Sequence, residues 1–216
     1  MIPFTRDQFF TIFAVYNSDV WPAAVIAYLL AFGMLALIWR RGASSGRTTA
    51  LMLALMWAWV GVVYHGLYFS RINLAAPLFG AAFVLQAVLF TWAAFTGRAL
   101  ASKRPTGVRL YAGWGIILYA LVAYPVIGLL AGERYPAMPL FVAPCPLVIF
   151  TFGIFILANC KRWWFWIVPI LWSMIGANAS VSMSVPQDIA LPLTAILALF
   201  LTVRARPPAV AATGAS

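Results

Sequence analysis

Charge is what this chain has least of. Only 18 of its 216 side chains are Lys, Arg, Asp or Glu, and just four of those are acids. A soluble domain carries roughly a quarter charged residues, so a globule surrounded by water is excluded. The 65% hydrophobic content also excludes a disordered chain. Histidine occurs once and cysteine twice. A single imidazole rules out bis-histidine haem ligation, or a zinc or iron site built from several histidines, within one chain. Two cysteines do not make a disulfide scaffold. There is no Walker loop, no H-E-x-x-H pair and no selectivity-filter sequence. The last apolar segment has no lysine for a retinal Schiff base. No apolar segment carries the paired catalytic groups that an intramembrane protease needs, so hydrolytic enzymes are disfavoured.

What the chain does have is long apolar runs. A helix needs about 20 residues to cross a hydrocarbon core about 30 Å thick at about 1.5 Å per residue. Seven segments qualify, at 20–39, 49–69, 74–95, 110–131, 139–159, 163–183 and 189–203; the last is short and contains Pro192. Barrel strands would instead alternate apolar and polar residues over about ten positions. The expected fold is an all-α membrane protein, a seven-transmembrane helix bundle.

The cations set its direction. Arg40, Arg41, Arg47, Arg98, Lys103, Arg104, Arg109, Lys161, Arg162, Arg204 and Arg206 fall on one side, against Arg6, Arg71 and Arg134 on the other with all four acids. Short loops rich in Lys and Arg stay in the cytoplasm. The N-terminus is therefore expected outside and the C-terminus inside, in the inner membrane of a bacterium. The net charge of +10 is then a topology signal and not a nucleic-acid footprint.

Residues 1–19 lack the uninterrupted apolar core of a secretory signal and read as an extracytoplasmic interfacial helix. Thr5 and Gln8 have capping-box spacing, and Phe9, Phe10, Phe13 and Tyr16 form a stripe expected to dip into the headgroup region. Residues 20–203 make the transmembrane domain. The Ala- and Pro-rich stretch 204–216 reads as a disordered cytoplasmic tail. A shift of 115 positions superimposes Trp57 on Trp172, Gly61 on Gly176 and Pro77 on Pro192. This suggests a 3+1+3 parallel pseudo-repeat, with chance matching of Ala/Leu-rich helices as the alternative.

Sorted by depth, the scarce polar groups gather at the outer ends of the spans. These are His65, Arg71, the run Glu133-Arg134-Tyr135, Cys145 between two prolines, Asn178, Ser180 and Ser182, then Gln187 and Asp188. Titratable groups at membrane depth normally face a bundle interior or a wet cavity. His65, Arg71, Arg134, Tyr135, Cys145 and Asp188 are therefore the candidate ligand-binding layer. Pairing of Arg134 or Arg71 with Asp188 or Glu133 would remove the burial cost. Interface snorkelling is the plainer reading of the arginines and Glu133. His65 and Cys145 are also candidate ligands of a soft ion such as copper(I), since Cys beside Pro resembles the ion path of copper-pumping ATPases, which carry two such cysteines. An inert, packed histidine and cysteine are the alternative. Cys145 and Cys160 lie roughly 22 Å apart along one helix and cannot form a disulfide. Gly128-x-x-x-Gly132 is spaced for close helix approach, and Pro77, Pro125, Pro146, Pro169 and Pro192 each leave a carbonyl that a neighbour must satisfy.

As a set, Ile2-Pro-Phe-Thr-Arg-Asp-Gln-Phe9, Val20-Trp-Pro22, Gly61-Val-Val-Tyr-His65, Arg134-Tyr-Pro136 and Pro144-Cys-Pro146 with Ile149-Phe-Thr-Phe-Gly153 resemble a bacterial membrane family known as a domain of unknown function. Some of its members are labelled permeases. The resemblance spans nearly the whole chain and implies neither a substrate nor catalytic residues. Three readings follow from the residues. The first is a membrane protein that binds or moves a small solute or ion through an extracytoplasmic polar pocket. The second is a metal or redox accessory protein using Cys145 and His65, and the third is a scaffold or subunit without chemistry. No cofactor, no nucleic acid and no partner beyond the lipid bilayer and the small solute or ion is implied.

Overall fold

The computed structural model describes residues 3–40, 42–97, 100 and 106–203. The tail at 204–216, with Arg204 and Arg206, lies outside the described residues, as do Arg41, Arg98, Lys103 and Arg104.

Helix α1 (Arg6–Asp19) starts where the sequence places it. The Thr5 hydroxyl accepts the Gln8 N–H at 3.2 Å, and the Gln8 side chain accepts the Thr5 N–H at 2.9 Å. Two donors of the first turn are thus satisfied reciprocally. Phe9, Phe13 and Tyr16 recur at helical spacing, but they turn onto the protein and not toward headgroups. Phe13 stacks on Tyr64 with centroids 5.3 Å apart, and Tyr16 meets Tyr64 and Tyr68 edge-on. These contacts bury whole rings and give the Tyr16 hydroxyl an acceptor, which explains the inward turn. Phe10 is half-buried and carries the Arg6 guanidinium 4.6 Å above its ring.

Next come α2 (Trp21–Arg40) and α3 (Ala43–Trp59), the latter running on through a π-helical segment, Val60–Tyr68, and a 3-10 turn, Phe69–Arg71. Helix α4 (Ala76–Phe95) follows. Helix α5 (Val108–Leu118) passes through a second π segment, Tyr119–Ala123, into α6 (Tyr124–Leu130). The last helices are α7 (Pro144–Leu157), α8 (Ile167–Met183) and α9 (Ala190–Val203), with α9 preceded by the 3-10 turn Pro186–Ile189. No strand occurs among the described residues. Among the described residues, five helical stretches are long and apolar enough to cross a membrane: Trp21–Arg40, Ser44–Arg71, Ala76–Phe95, Val108–Leu130 and Trp163–Met183. The apolar helices Pro144–Leu157 and Pro186–Thr202 are shorter.

The difference at the fifth predicted span has a local cause. Residues 139–143 are not helical, and the helix begins only at Pro144. Prolines at 139, 144 and 146 withhold N–H donors here. Phe141, Val142 and Ala143 are nevertheless buried. Their region is satisfied by α1: Tyr16 donates to the Val142 carbonyl at 3.0 Å, and the Asn17 amide donates to Pro136 and Met138 at 2.7 and 2.8 Å. Irregular backbone that is buried needs such partners for its polar groups. Helix α7 is the axis of the molecule, buried at every position except Cys145, with α3, α5, α8 and α9 against it. Trp57 of α3 donates to its Thr151 hydroxyl at 3.1 Å.

Glycines set two of the crossings. A Cβ on Gly80 would lie 2.7 Å from the Gly61 carbonyl, and one on Gly153 would lie 3.0 Å from that of Gly113, so α3–α4 and α5–α7 approach backbone to backbone. Large apolar side chains such as Leu29, Phe32, Leu78, Leu85 and Ile196 cover the outer surface.

The connections sort to two ends. At one end Arg6 Nε donates to Met183 O at 3.1 Å, and Tyr68 donates to Asp19 at 3.0 Å, so α1, the turn after α3 and the start of the α8–α9 connection meet. At the other, Arg109 donates to Ile156 O at 3.0 Å, Trp92 packs on Trp164, and Arg162 sits 5.7 Å over the Trp164 ring. Of the 115-residue repeat, Gly61 and Gly176 both face the helix that follows, against Gly80 and Leu191 respectively. The π segment after Trp57 has no counterpart after Trp172, where α8 continues to Met183.

Candidate functional site

The site is built around Tyr124 and Asp188. Pro125 has no N–H to give the carbonyl of Leu121 one turn earlier. That carbonyl is taken by the Tyr28 hydroxyl at 3.2 Å. The π segment and Pro125 together present Tyr124 inward, fully buried, at the start of α6. On the other side, the 3-10 turn before α9 is held by Tyr119, whose hydroxyl donates to Gln187 O at 2.8 Å. Asp188 is thereby fixed in the interior, 2% exposed, and accepts the Tyr124 hydroxyl at 2.5 Å. The Cys145 thiol, in the first turn of α7, shares one cavity wall with Asp188, Tyr124 and Trp172.

These groups line a cavity of about 790 Å³. Tyr64 from the π segment and Trp172 from α8 form part of its wall, together with Phe9 and Phe13 of α1. It extends to the exposed residues Asn178 and Ser182 at the end of α8. Among the described residues, no lysine or arginine lines it.

Next to it, Glu133 and Gln187 form a second polar pair. Gln187 Nε2 donates to both Glu133 carboxylate oxygens at 2.9 Å. Room for it comes from Gly128, where a Cβ would lie 2.6 Å from Glu133 Oε2 and 3.1 Å from Gln187 Nε2. The Gly128–Gly132 spacing thus admits a hydrogen bond where a helix packing contact was expected. Burial raises the Glu133 pKa above the usual carboxylate range, opposed by the Gln187 hydrogen bond and the charge of Arg6.

Of the six candidate residues, the structure brings Cys145 and Asp188 together. His65 is close but separate. Its ring is fully buried, packed against Phe83 at 4.9 Å and Trp172 at 5.0 Å, and neither ring nitrogen has a hydrogen-bond partner. Cys145 shares the cavity lining with Asp188, Tyr124 and Trp172, whereas His65 packs against Trp172 and is not among the described lining residues. Among the described residues, no group of three or more His, Cys, Asp or Glu side chains is placed to hold a metal ion.

Arg71, Arg134 and Tyr135 are exposed and do not line the cavity. Arg71 Nε donates to the Leu67 carbonyl at 2.8 Å. Arg134 donates to Leu129 and Glu133 carbonyls at 2.7 and 2.8 Å, closing the C-terminus of α6. Both guanidiniums serve helix ends, and the acids expected to pair with them accept neutral donors from Tyr124 and Gln187 instead. Sequence reasoning missed Tyr124, Tyr64 and Trp172. The available signal was Tyr124 itself, a hydroxyl in an apolar span directly before a proline.

A family model matches residues 6–211, nearly the whole chain. The chain belongs to DUF6064, a family of unknown function. No curated protein and no solved structure matches it. In this DUF6064 chain, two of the strings that carried the resemblance flank the cavity: Gly61–His65 lies in the π segment that supplies Tyr64, and Pro144–Pro146 opens α7 with Cys145.

Proposed function

We propose that the chain is a seven-pass protein of a bacterial inner membrane, N-terminus outside and C-terminus in the cytoplasm, that binds or moves a small solute or ion through the cavity at Asp188. The two shorter apolar helices complete the count of seven. Helix α7 is preceded by the mostly buried residues 139–143, and α9 by its leading 3-10 turn, which lengthens both passes. The sorting of connections to two ends supports the alternation of passes, and the lysine and arginine distribution supports the direction. The 3+1+3 plan stays part of this reading, resting on the Gly61 and Gly176 positions.

One observation carries the functional part: a buried carboxylate, held by Tyr124, at the wall of a cavity that reaches the end of the bundle. Acids at such depth mark ion and substrate sites in membrane proteins. Asp188 is the group linked to the ligand or ion, Tyr124 positions it, and Cys145 lies beside it. His65 supports the wall through Trp172. The test is flux in proteoliposomes loaded with a pH-sensitive dye and challenged with alkali cations, small amines and monocarboxylates. Wild-type protein should move at least one of these above the protein-free control, and Asp188→Asn should lose that flux. Equal flux from the two proteins would remove Asp188 from the mechanism.

A further inference from the structure

We propose that the cavity takes an organic cation whose ammonium group sits against Asp188 and whose body is enclosed by aromatic faces. The inference rests on the reading of the cavity as a ligand site and names the class of ligand.

Three observations converge on it. First, among the described residues the lining holds one carboxylate and no lysine or arginine. The hydroxyl of Tyr124 stabilises that carboxylate but brings no positive charge, and a buried anion is greatly stabilised by a counter-charge. Arg6, the nearest cation of α1 in the contacts at this end, is engaged with the Met183 carbonyl and lies outside the lining. Second, eight of the lining residues are aromatic. The π faces of such rings are negative and attract ammonium groups, a mode used wherever quaternary amines are recognised. Phe4, Phe9, Phe13, Tyr64, Phe79 and Trp172 come from four separate segments, so the rings surround the space instead of forming one stripe. Third, about 790 Å³ suits a small organic molecule. A bare hard cation would need several oxygen ligands, and no cluster of three acid, thiol or imidazole groups occurs among the described residues.

The competing classes are disfavoured by the same features. An anion would face a carboxylate and the negative faces of the rings. A neutral apolar molecule would leave the carboxylate without a counter-charge. Because the exposed apolar residues Met174 and Ile175 also line the cavity, the ammonium has two sources, a free solute or the headgroup of a lipid such as phosphatidylethanolamine.

The test uses the full chain in nanodiscs of phosphatidylglycerol, which carries no ammonium. Calorimetric titration compares three probes of similar size: benzyltrimethylammonium, phenylacetate and benzyl alcohol. The cation should bind saturably and the other two should not. Asp188→Asn should weaken it about tenfold or more, and Trp172→Leu should weaken it as well, which keeps the test open if the first variant does not fold. Replacing the lipid by phosphatidylethanolamine weakens the probe's apparent affinity if the headgroup is the occupant and leaves it unchanged for a free solute; either result retains the ammonium class.

Binding of phenylacetate or benzyl alcohol as tight as that of the cation would overturn the inference, as would cation binding unaffected by both variants. If no probe binds while a water-soluble maleimide still labels Cys145, the cavity is open to water and the ligand class alone is refuted. If no probe binds and Cys145 is unreachable, the reading of the cavity as a ligand site falls with it.

Discussion

Tyr124 donates its hydroxyl to the carboxylate of Asp188 at 2.5 Å, joining two positions 64 residues apart in the interior of the bundle. The bond ties the start of α6 to the turn that leads into α9. Tyr124→Phe keeps the ring and removes the donor. Hydrogen bonds to charged groups contribute about 1.5–3 kcal/mol, so the thermal unfolding midpoint in detergent should fall by several degrees. An unchanged midpoint would mean that the bond adds nothing to stability.

Gly128 and Gly115 make a controlled pair. Alanine normally stabilises a helix relative to glycine by about 0.5–1 kcal/mol. At Gly115 nothing lies within 4 Å of an added Cβ, so Gly115→Ala should be neutral or stabilising. At Gly128 the new Cβ meets Glu133 Oε2 at 2.6 Å, so Gly128→Ala should destabilise and displace the Glu133–Gln187 pair. Equal melting behaviour of the two variants would show that the pair yields without cost.

Asn17 holds the irregular chain ahead of α7 through two carbonyls, those of Pro136 and Met138. Asn17→Leu leaves both without this donor, at about 1–3 kcal/mol. Limited proteolysis should then cut within 132–143 faster than in wild type. A cleavage pattern identical to wild type would show that other contacts hold the segment.

Glu133 gives a pH signature. Its folded-state pKa is raised by burial, against the opposing effects of Gln187 and Arg6. The stability it contributes is therefore fully present below the unfolded carboxylate pKa and is lost as pH rises through the raised folded value. As pH rises from about 4, the unfolding midpoint of wild type should decline relative to that of Glu133→Gln, whose amide still accepts from Gln187. Parallel curves for the two proteins would contradict the shift.

The two thiols should respond differently to reagents. Cys145 lines the cavity and is partly exposed, whereas Cys160 is buried at the other end. A water-soluble maleimide should label Cys145 first, and Cys145→Ser should abolish the rapid phase. Faster labelling of Cys160 would be incompatible with this arrangement.

Much of the helical framework was legible because apolar run length reports it directly. The start of α1 was legible from Thr5 and Gln8, whose side chains can close a helix end only at that spacing. Cys145 and Asp188 were picked out by depth, since a polar group between apolar runs needs a partner. Other features leave no trace in composition. Phe9, Phe13 and Tyr16 form the same periodic stripe whether they meet headgroups or Tyr64 and Tyr68. Arg71 and Arg134 sit at span ends in either role, and only coordinates distinguish a helix cap from a ligand clamp. The break at 139–143 depends on donors from Asn17 and Tyr16, more than a hundred residues away in the sequence. Tyr124 was missed because an aromatic residue in an apolar run ordinarily packs as one more hydrophobic group.

The π segments at Val60–Tyr68 and Tyr119–Ala123 give the bundle a tolerance that straight helices lack. Losing a residue from an α-helix rotates everything beyond it by about 100°, which would turn buried faces outward. A π turn already accommodates a surplus residue, so a one-residue deletion there restores ordinary winding and leaves the flanking faces in phase. Both segments adjoin tyrosines of the cavity wall. Single-residue length changes at these two places would therefore let relatives of this chain alter the width of the chamber while the rest of the bundle stays as it is.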